Sequence, residues 1–297
     1  MPEDHANPGS SSTTATADSP ASDAPVVQFE DVSIAFEGKP VLREISFSVQ
    51  RGQTLVLLGP AGCGKSVLLK LANGLLKPDS GTIRVFGENI DKLRRRELYA
   101  LRARIGMVFQ ESALFDSLNV EDNVAYRLHE EMVPEAEAHT RVVEALKFVE
   151  LEAAIDKFPS ELSGGMRRRV SIARAIISSP DLILYDSPTG GLDPITSTTI
   201  IELVMKQRDV WHTTSLVVTH RLQDAFILAA NRFDPAIGGM KPLPRDGPDH
   251  GIDEGMKFLL LNEGKIVFHG STEDLVRSND PRVKRYLESD SVVSLRG

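Results

Sequence analysis

The segment GPAGCGKS, residues 59–66, has the spacing G-x-x-x-x-G-K-S. Glycines at that spacing let backbone N–H groups wrap an anion, and the start of a following helix adds the positive end of its dipole. The chemistry implied is polyphosphate binding. Lys65 is expected to reach the β- and γ-phosphates and Ser66 to ligate Mg²⁺. The candidate phosphate-binding run is therefore Gly59, Pro60, Ala61, Gly62, Cys63, Gly64, Lys65, Ser66 and Val67. Cys63 occupies a position whose side chain the pattern leaves free. A helix N-terminus can lower a thiol pKa and make it oxidisable, and the plainer reading is a small tolerated residue.

A second segment, LILYDSPTGGLDP at 182–194, runs four apolar residues into Asp186. A buried strand of this kind delivers a carboxylate to a metal-bound phosphate. The next position, where a hydrolytic site would place a general base, is Ser187. A serine hydroxyl orients water but accepts a proton poorly near neutral pH. Loss of a general base costs about 10²–10⁴ in rate, or roughly 3–5 kcal/mol of barrier. A third segment, LSGGM at 162–166, precedes an apolar helix and offers a second anion-binding helix terminus.

These residues need elements to hold them. QTLVLLG (53–59) reads as a fully buried strand and KSVLLKLANGLL (65–76) as the helix that follows. Residues 26–49 read as short alternating strands, PDSG (78–81) as a turn before a strand at TIRVFG, and IGMVFQ (105–110) as another apolar strand. From 111 to 178 the pattern is helical, with amphipathic runs such as HTRVVEALKFVELEAA. Strand and helix then alternate through LILYD, a helix from about Ile195, SLVVTH (215–220) and a helix from Leu222. The class is α/β with a parallel sheet, interrupted by an inserted helical subdomain. Residues 231–255 are dense in Pro, Gly and Asp and are expected to form a long mobile surface loop. Two strands, MKFLLLN and KIVFHG, and two short helices in 271–289 close the fold. Residues 1–25, rich in Ser, Thr, Ala, Pro and Asp, read as a disordered tail, and 291–297 as a short C-terminal one.

Bulk properties narrow the classes. The chain has 297 residues, a formal charge of −8 and a pI near 5.5, which argues against a protein that coats nucleic acid through a basic surface. No apolar run reaches the roughly 18 residues a membrane span needs, and no secretory signal is evident. One cysteine suits a reducing compartment, so a cytoplasmic protein is the default expectation. Arginines 94–96 read as a solvated helix face, whereas arginines 167–169 follow LSGGM and are a candidate for holding anions or a subunit contact. His129 and His139 lack metal-ligand spacing.

In their order along the chain, these motifs resemble the ATP-binding cassette (ABC) ATPases over about residues 26–290. The resemblance implies a P-loop NTPase core with an N-terminal antiparallel β-subdomain and an inserted α-helical subdomain. It also implies two copies packed head to tail, each ATP held between one cradle and the partner's signature. On that basis Leu162, Ser163, Gly164, Gly165 and Met166 form the signature presented in trans, and Asp193 lies in the loop crossing the dimer interface. Gln110 matches the glutamine that touches Mg²⁺ and senses a membrane partner, giving Ser66, Gln110 and Asp186 as the metal set. His220 matches the switch histidine, Phe36 the aromatic that stacks on adenine, and the catalytic set becomes Lys65, Gln110, Asp186, Ser187 and His220. Where the family typically has glutamate, this chain has Ser187.

Residues 111–130 and 279–289, with LSGGM and LDPIT, look like the subgroup serving Mla/Mce-type lipid transporters. That likeness implies a homodimer under two copies of an integral membrane permease, at the cytoplasmic face of the inner membrane. It further implies an Mce-domain lipid-binding partner, a phospholipid-like cargo and no nucleic acid. Three outcomes for hydrolysis stay open. Turnover survives at a reduced rate with His220 and Ser187 positioning the water, another carboxylate reaches the site from the D-loop or partner, or the protein binds ATP and barely turns over. The first is favoured, because a transporter subunit must reset. An ATP-dependent switch without a permease is the rival class.

Overall fold

The computed structural model describes residues 24–244, 253 and 255–294. The expected tail at 1–25 lies almost wholly outside these residues, as do 245–252 of the expected loop.

The chain opens with β1 (Val27–Phe36) and β2 (Lys39–Val49), an antiparallel pair, followed by β3 (Thr54–Leu58) and α1 (Lys65–Ala72). Next come β4 (Ser80–Val85), β5 (Glu88–Asn89), α2 (Arg95–Arg102) and β6 (Ile105–Val108). The helical stretch holds α3 (Val120–Glu130), α4 (Glu135–Phe148) and α5 (Gly164–Ile176). Then follow β7 (Leu182–Asp186), α6 (Pro194–Trp211), β8 (Thr214–Val218) and α7 (Leu222–Ala230). A hairpin of β9 (Asn231–Asp234) and β10 (Gly239–Pro242) precedes β11 (Met256–Asn262) and β12 (Lys265–Gly270). Helices α8 (Thr272–Arg277) and α9 (Pro281–Ser294) complete it, the last running past residue 290, where the domain was expected to end.

The central sheet has the order β12-β11-β3-β8-β7-β6, parallel throughout except for β12. Strands β3, β7 and β8 are buried along their whole length, so their sequences are mostly apolar, with polar residues only at their ends: Thr54, Asp186, Thr214 and Ser215. Successive side chains on a strand point to opposite faces. Accordingly Leu55, Leu57, Leu184, Leu216 and Leu259 pack with α1 and the antiparallel sheet β2-β1-β4-β5. Val56, Leu58, Tyr185, Val217 and Phe258 pack instead with residues of α3 to α7. The fold class and the N-terminal antiparallel sheet are as the sequence implied.

In the helical stretch, Asn123 is fully buried and holds the preceding turn. It accepts from the Phe115 N–H at 2.8 Å and donates to the carbonyls of Phe115, Leu118 and Asn119. A buried amide with its hydrogen bonds made is a stable way to order an otherwise irregular segment.

The expected long loop at 231–255 is corrected for its first half, which is the β9–β10 hairpin. Its turn uses Asp234 to accept from Ala236 and Gly238 N–H groups, with Gly238 at φ 66°. Phe233 and Met240 rest on the core, and the Phe233 N–H donates to Asp209 at 2.7 Å. The Pro and Gly density misled because an exposed two-stranded edge tolerates Pro242 where a central strand would not. Among the described residues, no helix is long and apolar enough to cross a membrane.

Candidate functional site

The phosphate cradle lies between β3 and α1. Gly64 caps α1 with φ 105° and offers no side-chain acceptor, so the first N–H groups of the helix face outward for a ligand. Glycine is also required sterically at its two ends. A Cβ on Gly59 (φ 142°) would lie 2.3 Å from the Leu261 carbonyl oxygen, and one on Gly64 would lie 2.6 Å from Leu42 Cδ2.

Lys65 is 8 % exposed, and its Nζ donates to the carbonyls of Gly59 at 2.7 Å and Pro60 at 2.8 Å. Those bonds hold the ammonium at the rim of the loop it belongs to. The idea of a low-pKa thiol at Cys63 is corrected. Its side chain turns into the core beneath the loop, and burial pushes its pKa up, outweighing Lys65 at 3.7 Å. The plainer reading, a small packing residue, stands.

Strand β7 delivers Asp186, whose Oδ1 accepts from Ser66 Oγ at 2.9 Å across the sheet. Two hard oxygen donors side by side suit Mg²⁺, and the Gln110 amide oxygen is a third candidate. Ser187 follows with φ 48°, the left-handed region that a non-glycine residue enters only when held there. It is held at both ends. Its N–H donates to Val218, and its carbonyl accepts from Gly190 N–H at 2.9 Å.

A cavity of about 440 Å³ brings Ala61, Gly62, Gly64, Lys65, Ser66, Val67, Gln110, Ser187 and His220 together. Residues from four separate segments thus converge on one space, with Asp186 behind it, joined through Ser66. Two lining residues, Val41 and Val218, carried no sequence signal: β2 crosses over the cradle, and Val218 ends β8. Phe36 is not part of the lining. It stands exposed at the tip of the β1–β2 hairpin, paired with Lys39.

The LSGGM residues sit apart from that cavity. Ser163 caps α5 by accepting from the Met166 N–H at 3.2 Å, with Leu162 buried beneath. Asp193 likewise caps α6, accepting from the Thr196 N–H at 3.0 Å, and its hydrogen bonds to Thr196 hold its carboxyl below the usual range. Gly165 is required where the two helix starts meet, because a Cβ there would lie 2.4 Å from Thr196 Cγ2. Two helix N-termini therefore stand side by side, with no cradle of their own.

Arginines 167–169 do not present an anion site. Each donates to main-chain carbonyls: Arg167 to Leu162, Arg168 to Phe109, Ser187 and Gly190, and Arg169 to Val149 and Glu150. Arginines 94–96 are exposed at the start of α2, as expected.

The family model described as ABC transporter matches residues 42–190, which span the cradle, the signature and β7, the Walker B strand that ends in Asp186. The chain belongs to the ABC transporter family. It is an ATP-binding cassette of the ATP-hydrolysing kind.

It is 38% identical to the intermembrane phospholipid transport system ATP-binding protein MlaF of Escherichia coli strain K12, over 89% of both chains. The MlaF protein of Haemophilus influenzae is 32% identical over 90% of this chain and 91% of its own. The methionine import ATP-binding protein MetN 2 of Bacillus cereus is 41% identical, over 66% of this chain and 59% of its own. Among solved structures, the dimeric post-hydrolysis state of the cassette MJ0796 bound to ADP and Pi superposes with a TM-score of 0.68 at 27% identity. It covers 82% of this chain and 98% of that one. CbiO1 of Clostridium perfringens gives 0.70 at 26% identity, covering 89% and 99%.

Proposed function

We propose that the chain is the ATP-driven subunit of a system that moves phospholipid, or a lipid like it, between membranes. The observation that carries this is the extent of likeness. The match to MlaF spans 89% of both chains, whereas the methionine import protein is matched over only 59% of its own length. The likeness to MlaF thus takes in 89% of this chain, against 66% for the methionine import protein.

In this reading two copies pair head to tail, as in the dimeric cassette MJ0796. Ser163, Gly164, Gly165 and Met166 of one copy face the γ-phosphate seated on the other's Lys65 and Gly64, with Asp193 at the crossing. Phe36, at the exposed hairpin tip, packs on the base. The Ser66–Asp186 contact fits Mg²⁺, with Gln110 completing the protein donors. The ion, when bound, offsets phosphate charge as it builds on the leaving oxygens.

The remaining work falls to the chain itself. Lys65 leaves its two carbonyl partners for the phosphate oxygens, and the open N–H groups of α1 hold the rest. Gln110, Ser187 and His220 share the cavity, so their polar ends orient the attacking water. Phosphoryl transfer depends chiefly on such positioning and charge stabilisation. A serine in place of a base lowers the rate without abolishing it. The permease sits against the Gln110 loop at the cytoplasmic face of the inner membrane, and an Mce-domain partner carries the lipid onward.

The test is purification of the full chain from native membranes in mild detergent. An integral membrane permease and bound phospholipid travelling with it are expected. A chain recovered only without membrane components would contradict the proposal.

A further inference from the structure

Arg168 is an unusual neighbour for a catalytic turn. Its side chain is 4 % exposed, on the second turn of α5, just past the signature glycines. One guanidinium nitrogen donates to the Phe109 carbonyl at 3.0 Å and the Ser187 carbonyl at 3.3 Å, and the other to the Gly190 carbonyl at 3.3 Å. Phe109 immediately precedes Gln110, so the fork bridges the loop of Gln110 and the turn of Ser187. The bridged pieces also lie close to one another. A Cβ on Gly190 would lie 3.2 Å from the Ser187 carbonyl oxygen and 3.6 Å from Gln110 Cγ.

The local balance of charge fits a permanent cation. Burial pushes the guanidinium pKa down, while Glu111 and Asp186 oppose that shift. Hydrogen bonds from a charged donor are roughly twice as strong as neutral ones, and a buried fork fixes geometry as well as charge. Ser187 needs that support, because its left-handed backbone is held in part by the carbonyl bond that Arg168 donates.

We propose that Arg168 is a positioning residue for hydrolysis, clamping the Gln110 loop and the Ser187 turn so that both side chains keep their places around the attacking water. The inference rests on the hydrolytic reading of the cavity above. The clamp matters more here than beside a strong base. Where water is only oriented, not deprotonated, the rate depends on how well its partners are held.

The experiment compares the full chain, in complex with its membrane partners, as wild type, Arg168→Gln, Arg168→Lys and Arg169→Gln. Arg169 serves as control, since it donates to the Val149 and Glu150 carbonyls in the helical stretch and touches neither loop. Hydrogen–deuterium exchange over residues 109–111 and 187–191 is measured first. Arg168→Gln should accelerate exchange in both segments together, and Arg169→Gln in neither. Steady-state ATPase kinetics follow. Arg168→Gln should lower kcat at least tenfold with KM and ATP binding within twofold. Arg168→Lys should recover only a small part, because one ammonium cannot span the carbonyls the fork reaches.

Unchanged exchange, loosening of one segment alone, or a loss of kcat matched by loss of ATP binding would overturn the assignment. Full recovery by lysine would overturn it as well, since charge and not the fork would then be the cause. Should Arg168→Gln fail to fold, Arg168→Lys is judged on the same exchange and kinetic criteria, with a partial loss expected and none contradicting. If even the wild-type complex hydrolyses no ATP, the reading of the cavity fails, and the exchange result still decides the clamp.

Discussion

Ser187 concentrates the chemistry of this chain in one position. It ends the Walker B segment in a left-handed turn, lines the cavity with Lys65, Gln110 and His220, and has no capacity as a base near neutral pH. Restoring a carboxylate should restore proton acceptance, whose usual worth is about 10²–10⁴ in rate. Ser187→Glu is therefore expected to raise the kcat of the assembled complex at least tenfold, measured by phosphate release. The left-handed backbone tempers the gain, since glutamate enters that region less readily than glycine or asparagine. No rise, with ATP binding intact, would mean that another group already activates the water.

At the scale of elements, the site exists because four strands, β3, β6, β7 and β8, end on the same side of the sheet and α1 starts there. Strand β6, which leads to Gln110, lies so close to α5 that a Cβ on Gly106 would come 2.4 Å from the Ala175 carbonyl oxygen. That obstacle is backbone and cannot swing aside. Gly106→Ala should cost about 1–3 kcal/mol, the usual penalty of overpacking, read as a lower midpoint in urea unfolding. It should also reduce ATPase activity, because α5 carries both the signature and Arg168. An unchanged midpoint would show that the helix can retreat without cost.

Much of this level was legible in the sequence. The buried strands read as apolar runs, LILY into Asp186 and LVLL after Thr54, and glycine spacing located the cradle. The β9–β10 hairpin was not legible, because its anchors are distant: Arg208 donates to the Leu228 and Asn231 carbonyls, and Asp209 accepts from Phe233. Nor was the turning of arginines 167–169 inward. A run of three basic residues is the same on paper whether it faces solvent, phosphate or carbonyls. For Cys63 the plainer reading held, and the reactive-thiol alternative failed because proximity to a helix start says nothing about which way the thiol packs.

At the scale of the whole molecule, the proposed ATP site is shared between two copies of the chain. The cavity holds the cradle, while Ser163 and Asp193 cap two adjacent helices away from it. In the proposed pairing, each half faces the other half of a second copy. Cross-linking tests this directly, and the sequence favours it, since Cys63 is the single native cysteine. On a Cys63→Ala background, cysteines are introduced by Ala61→Cys and Ser163→Cys in the full chain. A short bis-maleimide is then added with and without Mg-ATP. The account predicts a covalent dimer of twice the chain mass that forms with Mg-ATP and fades with ADP. Absence of that dimer, or a link confined within one chain, would contradict it.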